Sequence, residues 1–168
     1  MKKKSPILLK ALKELKSFEP VTLSVELVPK TSHFQNLRKF VSASSWKKLS
    51  TETAARAKNK CEICGGKGKR WAVECHEIWD YDDTNRIQKL KGLIALCPDC
   101  HGVKHIGLKF IQDFGEQATE HLADINGWEI DHTRSYLKAV KDVYRERSRY
   151  KWKLDLSWAC KRGIEIQK

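Results

Sequence analysis

Two Cys-x-x-Cys pairs, Cys61/Cys64 and Cys97/Cys100, constrain this chain more than any other feature. Thiolates two residues apart can direct both sulfurs at one ion, and two such pairs complete a tetrahedral Zn²⁺ shell with no position left for substrate. The spacing predicts a structural zinc site at Cys61, Cys64, Cys97 and Cys100. The 32 residues between the pairs exceed the simplest four-cysteine ribbon, so a folded insert is expected inside the loop that the metal closes. Cys75 and Cys160 read as small apolar residues rather than nucleophiles. Metal-type spacing, as opposed to a secreted disulfide framework, points to a reducing compartment, and a cytoplasmic location is expected.

The insert carries its own pattern. Gly65-Gly66-Lys67-Gly68 follows a knuckle and lacks the Gly-Lys-Ser/Thr ending of a phosphate-binding loop, so it reads as a hairpin turn. Arg70 to Trp79 reads as a strand, Asp80, Asp82, Asp83 and Asn85 as a polar connection, and Ile87 to Leu96 as the run into the second knuckle. Pro98 suits the first turn of a helix and Gly107 its end. His101 and His105, four residues apart, then share a helical face and can share an ion.

In order, a knuckle, a strand with His76, a second knuckle and a helix with two histidines resemble the HNH (His-Me finger, ββα-metal) nucleases built on a treble-clef zinc scaffold. The matching stretches are Cys61-Glu62-Ile63-Cys64-Gly65, His76-Glu77-Ile78, and Leu93-Ile94-Ala95-Leu96-Cys97-Pro98-Asp99-Cys100-His101 through His105. The resemblance implies a second metal held by His76, His101 and His105. Glu77 stands at the position of the general base, and Gly92 at that of the motif asparagine. An alternative register puts His76 at the base position and Cys75 at the ligand position. His76 and Glu77 are thus the candidate catalytic residues. Three imidazoles favour Zn²⁺, Ni²⁺ or Mn²⁺ over a bare Mg²⁺ site. The implied activity is metal-dependent hydrolysis of phosphodiester bonds in nucleic acid, with DNA favoured. The alternative is an inactive zinc-finger module binding nucleic acid or protein, since Glu77 and Gly92 replace the motif His and Asn. A third reading is a subunit of a larger complex, with residues 1–20 and 150–168 docking on a protein partner.

Charge supports a polyanion partner. Residues 1–60 carry 14 basic and 4 acidic residues, residues 61–107 carry 7 of each, and residues 108–168 carry 12 and 10, so the net +12 sits mostly in the first third. Neutralising phosphates releases counterions and gives sequence-independent affinity. Lys47, Lys48, Arg56, Lys67, Lys69, Arg70 and Lys104 are the expected nucleic-acid contacts. No apolar run is long enough to span a bilayer, and Lys10 and Lys13 interrupt any signal-type core after Met1-Lys2-Lys3-Lys4, so no membrane partner is expected.

The remaining chain reads as α+β, mainly α: a small treble-clef/ββα-metal zinc finger flanked by helices. The divisions expected are a basic arm (1–60), the finger (61–107) and a helical extension (108–168). Apolar residues at helical spacing predict a helix over 6–16, alternation predicts a strand over 21–28, and 29–43 has no clear period. Ser44 or Ser45 can cap a helix that stops near Asn59. Helices are expected over 108–126, ending at Gly127, and over 131–149, capped by Asp131. The tail reads as an extended segment that packs back. Trp128, Trp152 and Trp158 read as core, and His33, His121 and His132 as isolated residues without function.

Overall fold

A long hairpin organises the molecule. In the computed structural model, which describes residues 4–167, strands β1 (Glu74–Asp82) and β2 (Ile87–Leu96) pair antiparallel from Glu74↔Leu96 to Asp82↔Ile87. Met1, Lys2 and Lys3 of the basic start lie outside the described residues. Asp82 closes the hairpin by accepting from the amides of Thr84 (2.9 Å) and Asn85 (3.0 Å), the side-chain mimicry of a turn that explains the polar stretch there. The register shifts between Ile78 and Trp79, leaving an extra residue on β2. That bulge lets Leu90 and Leu93, three apart, reach the same apolar cluster, which strict alternation would forbid. β3 (Lys153–Asp155) pairs parallel with the start of β2, giving the order β1-β2-β3.

Helices cover the hairpin and make the fold α+β with helix predominating. They are α1 (Pro6–Lys16), α2 (Ala43–Arg56), α3 (Pro98–Lys104), α4 (Ile106–Ile111), α5 (Gly115–Asn126), α6 (Ile130–Arg147) and the short α7 (Ser157–Cys160). Leu96, Val103, Leu122, Tyr136 and Val140 close one core around the cysteines, and Leu37, Val41 and Leu49 close a second with Leu90, Leu93 and Ala159. α1 begins at Ser5, whose hydroxyl accepts from the Leu8 amide at 3.1 Å, and it buries Leu8 and Ala11 with Val143 of α6. No helix among the described residues is long and apolar enough to cross a membrane.

Several local expectations change: the helix expected from Pro98 to Gly107 stops at Lys104, with Gly107 inside α4, and Asp80 and Asp82, read as connection, belong to β1. Residues 21–28 alternate, with Leu23 and Val25 buried, yet no strand forms. Their amides are taken by other partners: Asn126 Oδ1 accepts from Thr22 and Leu23, Tyr136 Oη from Val25, and the Lys104 carbonyl from Glu26. The segment is extended chain hydrogen-bonded to helices instead of a sheet. Ser42, not Ser44 or Ser45, caps α2, accepting from the Ser45 amide at 3.1 Å. The single helix expected over 108–126 breaks at Asp113, whose φ of 62° is left-handed. There a Cβ on Gly115 would lie 2.1 Å from Phe110 Cδ1, so only glycine fits beneath the ring. In α6, Asp131 lies inside the first turn and Glu129 holds the cap position.

Candidate metal centres

The first centre grows from two tight turns. Cys61 and Gly66 exchange a bond between the Cys61 amide and the Gly66 carbonyl (2.9 Å), the Gly65 amide bonds the Cys61 carbonyl (2.9 Å), and Gly65 takes φ 72°. A side chain at Gly65 would be strained, which is why glycine follows the first pair. At the second pair, Cys97 is the N-cap of α3, its sulfur accepting from the Cys100 amide at 3.5 Å, with Pro98 at the first helical position. All four ligand sulfurs lie within 4.8 Å of one another. Cys64 Sγ and Cys97 Sγ are 3.6 Å apart, close to the ~3.8 Å edge of a tetrahedron with metal–sulfur bonds of about 2.3 Å. Burial pushes the Cys97 thiol up to about 11 and the Cys100 thiol higher still, whereas at Cys61 burial is outweighed by the amides of Cys64, Cys97 and Ile63, which hold that thiol below its usual value; a cation among the four favours the thiolate form throughout. The donor set is that of a closed, structural metal site.

The second centre lies on the face of β1 that looks towards α3. His76, His101 and His105 each offer a nitrogen, all within 4.8 Å of one another. The ring centroids stand 4.9 to 5.2 Å apart with interplanar angles of 68 to 72°, three edges turned towards a common point. Exposure rises from buried His76 through half-buried His101 to exposed His105, so the centre opens on one side. Burial, then the neighbouring imidazoles, push His105 down to about 4, and burial lowers His101 against the opposing pull of Glu74. Neutral imidazoles with free lone pairs are the form that binds metal.

Two carboxylates back the rings. Glu74 Oε2 lies 2.5 Å from His101 Nδ1, which leaves Nε2 of that ring free to face an ion. Glu26 Oε2 lies 3.3 Å from His76 Nε2, and its other oxygen accepts from Lys104 Nζ at 3.0 Å. Burial alone would raise the Glu26 pKa, but the His76 bond and the Lys104 charge outweigh it and hold it below the usual carboxylate value. Carboxylates behind metal-facing histidines fix ring orientation and raise donor strength. Sequence reading passed over both; Glu74 was legible in principle, two residues before His76 and so on the same strand face.

The other candidates scatter. Glu77 turns to the opposite face of β1 from His76, where its carboxylate accepts from the Arg38 amide at 3.4 Å. Burial, against the amides of Arg38 and Leu37, raises it to about 7. Cys75 shares that far face, packed in the second core, so the alternative register does not bring it to the histidines. Lys104 departs from its expected role as a nucleic-acid contact. It is 5% exposed and bound to Glu26 and Ser24, which hold it against the extended segment 21–28. Lys47, Lys48, Lys67, Lys69 and Arg70 are exposed. Arg56 splits its Nη2 between Glu62 (2.9 Å) and the Leu93 carbonyl (2.9 Å), tying α2 to the hairpin.

Two histidines read as isolated are near the centres. His121 Nε2 on α5 lies 3.2 Å from Cys100 Sγ, and exposed His33 is near enough to His105 to add to its lowered pKa. No local pattern signals either, since 20 residues separate His121 from Cys100 and 71 separate His33 from His105. No known protein family, curated protein or solved structure matches the chain, so the geometry of the two centres carries the functional reading.

Proposed function

We propose that this chain is an HNH-like metal-dependent endonuclease that hydrolyses phosphodiester bonds in nucleic acid, DNA foremost. The observation that carries the reading is the meeting of His76, His101 and His105 at one open point beside a closed four-cysteine centre. Four thiolates suit Zn²⁺ and leave no vacancy; three imidazoles suit Zn²⁺, Mn²⁺ or Ni²⁺, or Mg²⁺ with water completing the shell, and leave coordination positions for water and a phosphate oxygen. An ion there would supply Lewis-acid stabilisation of the scissile phosphate and a more acidic water. The chain's own part is orientation: Glu74 and Glu26 hold the His101 and His76 rings, and Lys104 keeps Glu26 anionic and in place. The exposed lysines and arginines would hold the polyanion without reading its sequence.

One observation favours a second reading, a zinc-stabilised binding module without catalysis. Glu77 does not share the histidine face, and a Cβ on Gly92 would already touch Trp158 Nε1 at 3.6 Å, so the indole occupies the direction an asparagine side chain would take. Supercoiled plasmid incubated with Mg²⁺, Mn²⁺, Ni²⁺ or Zn²⁺ separates the two. Nicking or linearisation in wild type, lowered more than about 100-fold in His76→Ala, is expected for the nuclease, since even partners behind the ligands are worth 10–100-fold. Uncut plasmid and oligonucleotides across all four ions, with nucleic acid still bound, would leave the binding module.

A further inference from the structure

A cleft of about 620 Å³ opens between the second half of α2 and the start of β1, with Ser50, Thr51, Asn59, Trp71 and Glu74 on its walls. One of its lining residues, Glu74, also bonds His101 Nδ1 through its carboxylate. Its outer wall is Trp71, 59% exposed, unlike Trp152, which is buried. The rest of the lining is mixed, with Ala54, Ala55, Val73 and Ala95 beside the hydroxyls, and an indole left in water at its edge is unusual for a residue that dominates cores when it can. The Arg70 guanidinium carbon lies 5.4 Å from the Trp71 ring centroid.

The chain that joins two of its lining residues, Asn59 and Trp71, is strongly basic, its cations standing outside the cleft lining. Residues 56–70 hold six basic residues, Arg56, Lys58, Lys60, Lys67, Lys69 and Arg70, against one acidic residue, Glu62. All six are exposed, and Glu62 is already bonded to Arg56. Lys58 and Asn59 both take left-handed φ (53° and 54°), a tight turn that sets Asn59 into the cleft wall. A flat π-surface flanked by cations, over a cleft with hydroxyl and amide groups, fits nucleotides whose bases are free to stack and whose phosphates lie outside. A paired duplex keeps its bases stacked on each other and offers none to Trp71.

We infer that this cleft holds an unpaired stretch of nucleic acid, one base stacked on Trp71 and its phosphates on Arg70 and the lysines of the glycine-rich turn. The inference rests on the nuclease reading for its class of ligand, but its measurement is independent of cleavage.

Binding is measured on the full chain carrying His76→Ala, so that the probe is not consumed, by anisotropy of fluorescein-labelled dT15, rU15 and a hairpin duplex at one fixed salt concentration. Tighter binding of dT15 or rU15 than of the duplex is expected, and a further Trp71→Ala change lowers that affinity about 5- to 150-fold, the range of one base–aromatic stack. Trp71→Phe restores most of it, and duplex affinity moves less than about twofold in either variant. Because Trp71 is exposed, circular dichroism melts of the variants should coincide. Unchanged dT15 and rU15 affinity in Trp71→Ala, or an equal loss on the duplex, overturns the inference. Absence of cleavage by wild type together with Trp71-dependent binding would sink the nuclease and leave the cleft standing. Cleavage that Trp71→Ala leaves intact on single-stranded substrate, with unchanged binding, would do the reverse.

Discussion

The four-cysteine and three-histidine centres share α3, which is capped at its start by Cys97, carries Cys100 and His101, and has His105 as its C-terminal cap. They differ in what surrounds them. Three of the four cysteines are buried, with backbone amides aimed at Cys64 and Cys97 and apolar side chains around them. The histidines are backed by carboxylates and graded from buried to exposed. A saturated shell stores folding free energy when it holds a metal; an unsaturated one with charged backing leaves room for a reacting group. One short helix thus carries residues of both candidate centres.

The comparison breaks most visibly at the cysteines. Cys100→Ser should lose the metal and the fold together, because a structural zinc contributes ~10–16 kcal/mol in small fingers, as much as a whole domain's stability. Metal analysis and circular dichroism of the purified chain check this, and a folded, metal-free Cys100→Ser protein would refute the structural role. Glu74→Gln should leave the cysteine metal in place while weakening the histidine site about 10–100-fold, read by titration with Mn²⁺ or Ni²⁺. Equal loss from both centres would mean that they are not separable.

Glu77→Gln sharpens the chemical side of the contrast. Facing Arg38 and not the histidines, it should cost about 1 kcal/mol of stability and leave the rate near wild type. A fall of 100-fold or more at unchanged metal content would restore Glu77 as the proton acceptor. The smallest effect is expected for His121→Gln. Losing one hydrogen bond to the Cys100 sulfur should cost roughly 1 kcal/mol and speed metal exchange with a chelator, without altering the histidine site. An unchanged exchange rate would make that contact incidental.

Much of residues 61–107 is legible in the amino-acid sequence. The helix opening at Pro98 lies where proline chemistry puts it, β1 starts at Glu74 within the run read as Arg70–Trp79, and the run Ile87–Leu96, read only as the lead into the second knuckle, is strand β2. Residues 21–28 were misread for a reason of principle. Alternation reports which side chains are buried, and Leu23 and Val25 are, but it cannot say whether the amides meet a strand or Asn126 and Tyr136. The break at Asp113 escaped because the apolar spacing continues across it, while the close approach of Phe110 to Gly115 is a tertiary fact.

By itself the sequence determined the ligand types, their spacing and the order knuckle, hairpin, knuckle, helix, because Cys-x-x-Cys geometry and helix-start chemistry act over a few residues. Only the tertiary structure decided which acidic residues serve the histidines. Adjacent positions on a strand point to opposite faces, so Glu77, next to His76, is lost to the site, while Glu74 gains it from two residues away and Glu26 from fifty. It likewise buried Lys104 and left Trp71 in solvent. Burial depends on what the rest of the chain brings alongside, and no local pattern contains that.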